Sequence, residues 1–508
     1  MHHPMLSKVF SASVTGVEAE QVEVEVNAGF GESGIIVVVG LPDAAVKESK
    51  DRVTTAMINS GFRTHPGRTT INLAPADVRK EGPSFDLPIA LGMLVATEQL
   101  KIGHLDQFFV VGELALDGGI RPVQGVLSIV LKARELGIAG VIVPEANARE
   151  AAVVKGINVY PVGNLREAAA FLSGEKHLAP VVEDLELLFA SDGDYEADFS
   201  DVKGQESVKR ALEIAVAGGH NLLMIGPPGT GKSMLAKRIP SIMPPMTLDE
   251  ALETTKIHSV AGLLKPGQAI VTTRPFRSSH HTISDIGLVG GSSNLRPGEV
   301  SLSHNGVLFL DELPEFKRQT LEILRQPLED GRITISRATG SVTFPCHFML
   351  IAAMNPSPSG VKSENLVAQK RYLDKISRPL LDRFDIHCEV PAVKYSDISS
   401  KAPGEPSSKI RERVIAARDR QKLRFSGTKT FCNAQMSSKQ LREYCKLHED
   451  VEELLKMAMN ELNFSARAHD RILKVSRTIA DLEGSSDIQC AHISEAIQYR
   501  TLDRTLWQ

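Results

Sequence analysis

The 508-residue chain has few cysteines, and they are badly placed for covalent or metal crosslinking. Cys346, Cys388, Cys432, Cys445 and Cys490 are odd in number, scattered, and form no C-x-x-C pair. That excludes a disulfide framework or a zinc finger as the basis of the fold and fits a reducing compartment. No apolar run approaches the ~20 residues that a membrane-spanning helix needs. Residues Met1 to Lys8 lack the long apolar core of a secretory leader, so no membrane partner is expected and the expected location is the cytoplasm. Charge of one sign is lacking too: 58 Lys and Arg against 62 Asp and Glu leave a net charge of −4. A globally basic nucleic-acid coat is therefore excluded, although a ring can concentrate positive charge in a narrow channel. Internal repeats and low-complexity tracts are absent. What remains is 42% hydrophobic and 24% charged, an ordinary globular composition long enough for two to four domains.

Hydrophobic patterning divides the chain. Residues 1–172 read as an α/β domain. Gln21 to Val26 alternates as a half-buried strand, and Gly34 to Val39 reads as a fully buried one. Val46 to Ser60, Leu87 to Thr97 and Val126 to Leu136 read as helices, the last framed by strands at Phe108 to Leu114 and Gly140 to Pro144. Acidic residues crowd 173–198 (Glu183, Asp184, Glu186, Asp192, Asp194, Glu196, Asp198), a solvated linker with one short helix. A nucleotide-binding domain is expected over 199–395. Breakers at 401–408 mark a second linker, and 409–508 is helical in period.

The chemistry is concentrated in one local pattern. The apolar run Asn221 to Ile225 leads into Gly226-Pro227-Pro228-Gly229-Thr230-Gly231-Lys232-Ser233, then the helical segment Met234 to Ile239. This strand, glycine loop and helix matches the Walker A spacing G-x-x-x-x-G-K-[ST]. Backbone N–H groups in such a loop curl around phosphates, and the helix N-terminus adds a favourable dipole. Lys232 is placed to reach the outer phosphates of ATP, and the Ser233 hydroxyl to hold Mg²⁺. A second apolar run, Gly306 to Leu310, ends in Asp311-Glu312. Two acids after such a run are usually a solvent-facing strand end. After a Walker A they become a Walker B pair, Asp311 for the Mg²⁺ shell and Glu312 to polarise the attacking water.

Between these elements lies an insertion with Arg274, Arg277, His280 and His281. After them, Arg332 to Phe344 alternates around a turn as a hairpin carrying Arg332 and Arg337. The four arginines are candidate DNA-phosphate contacts, with contacts between subunits of a ring as the alternative. Adjacent histidines point opposite ways in a strand, and no third ligand accompanies His280 and His281, which disfavours zinc. Phe348 to Met354 reads as a buried strand ending at Asn355.

These segments resemble AAA+ ATPases, specifically the magnesium-chelatase-like branch and, within it, the family of the competence protein ComM, also called YifB. The resemblance covers nearly the whole chain. It is carried by Ala217 to Asn221, Pro275 to Ser284, Asn305 to Phe316 and Pro379 to Ile386. It implies a central P-loop NTPase domain with a parallel sheet and a C-terminal helical lid domain. It assigns Asn355 as sensor 1, Arg383 as an arginine finger offered to a neighbouring subunit, and Arg467 as sensor 2. Arg378 is a second possibility for the finger and Arg471 for the sensor. The resemblance further implies a homo-oligomer, hexameric in the family, that acts on single-stranded and branched DNA as a branch-migrating helicase in natural transformation, with recombination proteins as candidate partners. Relatives often carry closely spaced cysteines after the Asn-Pro, whereas this chain has Ser357, Ser359 and Gly360, so a metal insertion is not expected there.

The N-terminal domain resembles the proteolytic domain of Lon through Glu81 to Ser84 and Val111 to Gly125. Ser84 stands at the nucleophile position, but the position of the dyad lysine falls on Leu127, and Lys132 lies more than a turn beyond. Without a base the serine is not activated, so a non-proteolytic scaffold is expected. Other classes compatible with the residues are an ATP-dependent remodeller of a protein or metal-chelatase complex, and a peptidase using Ser84.

Overall fold

The computed structural model describes residues 5–29, 34–190, 195, 197–291, 295–337, 340–357, 366–393 and 403–502. The hairpin turn at 338–339, Ser359 and Gly360, and the start of the 401–408 breaker run lie outside the described residues. The chain forms two compact units, residues 1–190 with 248–271, and residues 191–247 with 272–508.

The first unit is built on a seven-stranded mixed sheet. Its strands are β1 (Met5–Thr15), β2 (Glu18–Ala28), β3 (Ile36–Val39), β4 (Thr69–Ala74), β5 (Phe108–Val110), β8 (Gly140–Pro144) and β9 (Asn158–Val162). The small pair β6 (Glu113–Leu114) and β7 (Ile120–Arg121) lies beside it. The order is β3-β4-β2-β1-β5-β8-β9, with β1–β2 and β2–β4 antiparallel and the other neighbours parallel. The alternation read at 21–26 is realised as Val22, Val24 and Val26, all buried on one face. β3 departs from expectation. It is the sheet's edge, with Val39 41% exposed, because a run of β-branched residues does not distinguish an edge from a centre.

Helices Ala44–Asn59, Asp86–Ala96 and Val126–Glu135 cover the core. The first begins where the Asp43 carboxylate accepts from Val46 N–H at 2.8 Å. Short helix Leu185–Ala190 falls in the acidic segment. Helix Leu248–Val260 follows the P-loop in sequence but packs in this first unit, where Ser259 Oγ accepts from Gly125 N–H at 3.0 Å and donates to the buried Glu150 carboxylate. Ser84 sits in a single 3₁₀ turn, Pro83–Phe85. Leu127 is fully buried, its N–H bonded to Glu150 Oε1 at 3.1 Å, and Lys132 pairs with Glu135.

The second unit contains a five-stranded, all-parallel sheet in the order β11-β12-β15-β10-β16. Its strands are β10 (Leu222–Ile225), β11 (Phe276–Ser279), β12 (Val307–Leu310), β15 (Met349–Met354) and β16 (Ile386–Glu389). Except for parts of β11 and the end of β16 they are buried, as expected for a sheet covered on both faces. The hairpin β13 (Arg332–Arg337) and β14 (Gly340–Pro345) forms a separate two-stranded ribbon. Ile333, Ile335, Val342 and Phe344 bury one face. On the other, Thr334 pairs with Thr343 and Ser336 with Ser341 through their hydroxyls.

Among the described residues, helices Ser407–Arg424, Ser438–Tyr444, Glu449–Glu461, Ala466–Glu483 and Cys490–Gln498 follow. Their apolar faces join the same core cluster as the sheet. Among the described residues no helix is long and apolar enough to cross a membrane.

Candidate active site

The strand order puts three loops side by side. β15 lies between β10 and β12, so the segments leaving the carboxyl ends of all three converge, the usual ligand position in an open parallel sheet. Gly226 closes β10. A Cβ there would stand 2.2 Å from the Val390 carbonyl oxygen, so only glycine lets the loop leave the sheet beside β16. Gly231 has φ 86° and is the N-cap of helix Lys232–Ile242, which presents its first free N–H groups to the loop.

Lys232 is buried. Its Nζ donates to the carbonyls of Gly226 (2.7 Å) and Pro227 (2.8 Å) and to Asn355 Oδ1 (3.1 Å). Burial pushes its pKa down, against the pull of Asp311 and Glu312. Ser233 Oγ donates to Asp311 Oδ2 at 2.5 Å, so the two groups with the chemistry of Mg²⁺ ligands are already together. Donor set and glycine cradle thus fit a magnesium nucleotide. Glu312 follows at φ 52°, an uncommon left-handed conformation for a non-glycine residue, and its carboxylate stays largely exposed. Thr230 Oγ1 donates to the Pro227 carbonyl at 3.0 Å, tightening the loop between Pro228 and Gly229.

Residues that the motifs did not flag complete the site. Gln205 Nε2 donates to the Thr230 carbonyl at 2.8 Å and the Pro391 carbonyl at 3.2 Å, bracing the loop from outside. His281 Nδ1 lies 3.2 Å from Glu312 Oε2. Its ring also stacks near that of His280, 4.1 Å between centroids. The two rings do not splay as in a strand, because β11 ends at Ser279. Among the described residues no group of three or more His, Cys, Asp or Glu is arranged to hold a metal ion.

Arg383 follows the short helix Arg378–Leu381 and makes an ion pair with Glu329. Burial, and the like charges of Arg471, Arg467 and Arg325, push its pKa down. Arg378 is exposed. Arg467 and Arg471 lie one turn apart on helix Ala466–Glu483. Arg467, 63% exposed, pairs with Asp382 at 3.0 Å, while Arg471, 11% exposed, pairs with Asp385 at 3.1 Å. Asp385 also accepts from His220 Nδ1 (3.0 Å), whose Nε2 meets Thr478 Oγ1 (2.9 Å). Asn221 ties the same region to the sheet. Its Nδ2 donates to the Arg383 carbonyl (2.9 Å), and its Oδ1 accepts from Leu350 N–H (2.8 Å). Segment 382–385 is thereby fixed to β10, β15 and helix Ala466–Glu483 at once.

The four arginines considered for DNA fall into two pairs. Arg274 donates to the carbonyls of Pro244 (2.7 Å), Asn305 (2.8 Å) and Pro245 (3.3 Å). Arg277 makes a bidentate pair with Glu299 at 2.6 and 2.7 Å, whose hydrogen bonds raise its pKa. Arg332 and Arg337 are exposed on β13, with Arg337 Nε donating to the Gly291 carbonyl at 3.1 Å.

Residues 198–398 match the family described as magnesium chelatase, subunit ChlI; residues 22–147 match subunit ChlI of Mg-chelatase; residues 404–500 match the magnesium chelatase subunit ChlI C-terminal family. A Salmonella typhimurium protein named YifB is 44% identical over 508 residues, spanning 99% of this chain and 98% of the relative. The competence protein ComM of Haemophilus influenzae is 44% identical over 512 residues, with the same shares covered. The magnesium-chelatase subunit ChlI of Chlorella vulgaris is more distant, 23% identical over 324 residues, 57% of this chain and 83% of its own. With full-length identity at this level and three family models in register along it, the chain belongs to the ComM (YifB) family of magnesium-chelatase-like proteins.

Proposed function

We propose that this protein is an AAA+ ATP hydrolase that works as a DNA motor, a homo-oligomeric, hexameric helicase promoting branch migration in competence-linked recombination. The observation that carries the ATPase reading is the joining of three chain segments at one point: Lys232 on Asn355, and Ser233 on Asp311. Magnesium bound by Ser233 and Asp311 would neutralise phosphate charge. Lys232, released from its carbonyl partners, binds the outer phosphates. Glu312 orients and polarises the attacking water, and Asn355 holds the phosphate side of the site. Arg383 serves the neighbouring subunit's nucleotide, with sensor 2 on Arg467 or on Arg471, one turn further along the same helix.

The DNA reading rests on the ComM name of the Haemophilus influenzae relative and on the exposed hairpin with Arg332 and Arg337. Arg274 and Arg277 are the other two candidate phosphate contacts, and the first already binds backbone carbonyls while the second binds the Glu299 carboxylate. The first unit we read as a Lon-like scaffold without peptidase activity, since buried Leu127 offers Ser84 no base. The test is ATP turnover with and without DNA, together with migration of a synthetic three- or four-strand junction. Glu312→Gln is expected to bind ATP, lose turnover by about 10²-fold or more, and leave junctions unmoved. Turnover that DNA never stimulates at low salt would favour a remodeller of a protein or metal-chelatase complex instead.

A further inference from the structure

We infer that Glu329 is a positioning residue that holds the Arg383 guanidinium inside its own protomer, and that the hairpin β13–β14 governs its release. The inference rests on the finger reading of Arg383 and adds its control. The Arg383 side chain is only 18% exposed, and its buried Nε has no hydrogen-bond partner among the described residues. A guanidinium in that state is not extended towards a second subunit. Of the charges around it, Arg471, Arg467 and Arg325 repel it and Asp385 attracts it. The acids nearby are engaged as well: Asp382 by Arg467, Asp385 by Arg471 and His220, Glu322 by Arg325. Glu329 supplies the carboxylate in direct contact.

Glu329 is also mechanically tied to the hairpin. It sits in the last turn of helix Arg325–Asp330, and β13 starts after the single residue Gly331. Gly331 has φ 62°, and a Cβ there would lie 2.0 Å from His347 Cε1, so this joint is tightly constrained. Its carbonyl accepts from Cys346 N–H at 2.9 Å, which ties the far end of β14 to the same joint. A ribbon clamped at both ends to one residue carries displacement of its exposed face to the adjoining helix end. Because the Glu329 carboxylate is 53% exposed, the ion pair is weak enough to break and reform during turnover. DNA on the hairpin would thus free the finger in the subunit that has engaged it, linking grip to hydrolysis at the next site.

The test compares wild type, Glu329→Gln, Arg383→Ala and the double variant, each as the assembled oligomer, in steady-state ATP turnover with and without single-stranded DNA. Glu329→Gln keeps the shape and removes the charge. It is expected to raise the DNA-free rate about 2–5-fold, the scale of one half-exposed ion pair. The ratio of DNA-stimulated to DNA-free rate should shrink by the same factor, with KM for ATP unchanged because the phosphate cradle belongs to the other subunit. The double variant should be as slow as Arg383→Ala. Equal loss of both rates in Glu329→Gln, or no change in either while Arg383→Ala is inactive, would overturn the role of Glu329 alone. Full turnover in Arg383→Ala would overturn the finger reading and this inference with it.

Discussion

Substituting Asp385 by Asn removes one negative charge from the junction of sheet, finger segment and C-terminal helices while keeping its shape. The Asp385 side chain is 14% exposed and accepts from His220 at 3.0 Å and Arg471 at 3.1 Å. Burial alone would raise its pKa. The hydrogen bond and charge of His220, with the charges of Arg471 and Lys474, outweigh burial and hold it at about 2. Against an ordinary value near 3.8, this corresponds to stabilisation on the order of 2 kcal/mol. Because the folded-state value is depressed, that stabilisation is complete above the unfolded-state value and is lost as pH falls from about 4 towards 2. At neutral pH the Asn variant leaves the Arg471 charge with only the more distant Asp382 carboxylate at 3.9 Å, and a loss of about 2–4 kcal/mol is expected. For a unit on the order of 300 residues, with ~0.6 kcal/mol per degree of unfolding entropy, Tm should fall by roughly 3–7 °C. Urea denaturation and calorimetry measure this directly. A double cycle with Arg471→Ala should show coupling of about 1–3 kcal/mol. An Asn variant within about 0.5 kcal/mol of wild type, or strict additivity, would refute the electrostatic account of this junction.

Arginines on the hairpin and on β11 should behave oppositely. Arg332→Ala and Arg337→Ala should leave stability nearly unchanged while each lowers the slope of log affinity against log salt by about 0.7 for single-stranded DNA; fluorescence anisotropy titrations check this. Arg277→Ala strands the half-buried Glu299 carboxylate and should cost about 1–3 kcal/mol in denaturation midpoint measurements, whether or not DNA is present.

The parts of the site that the sequence shows are those written in consecutive residues. A glycine loop between an apolar strand and a helix, or two acids ending an apolar run, declares its geometry because phosphate and metal chemistry permit few spacings. β1 left no such trace. Ser7 and Ser13 face inward with hydroxyls bonded to the carbonyls of Gly92 and Arg79, so polar residues occupy positions where alternation would show apolar ones. β11 was hidden for a related reason: Phe276-Arg-Ser-Ser279 is short and mostly polar, and it becomes a strand by pairing with β12. Long-range electrostatics were least legible. His220 and Asp385 are 165 residues apart, and although both lie in segments that carry the resemblance, nothing local pairs one with the other. Arg274 and Arg277 illustrate the same gap. Their charge is visible in the sequence, but the carbonyls and the Glu299 carboxylate that occupy them are supplied by folding.

The central claim is that ATP is hydrolysed where the Lys232 cradle of one subunit meets Arg383 of the next. Mixing two inactive variants, Lys232→Ala and Arg383→Ala, at equal amounts and following ATP turnover tests it most directly. Random co-assembly should restore up to about one quarter of wild-type turnover, since about one interface in four then joins an intact cradle to an intact arginine. A mixture as inactive as its parents, despite shown subunit exchange, would contradict the account.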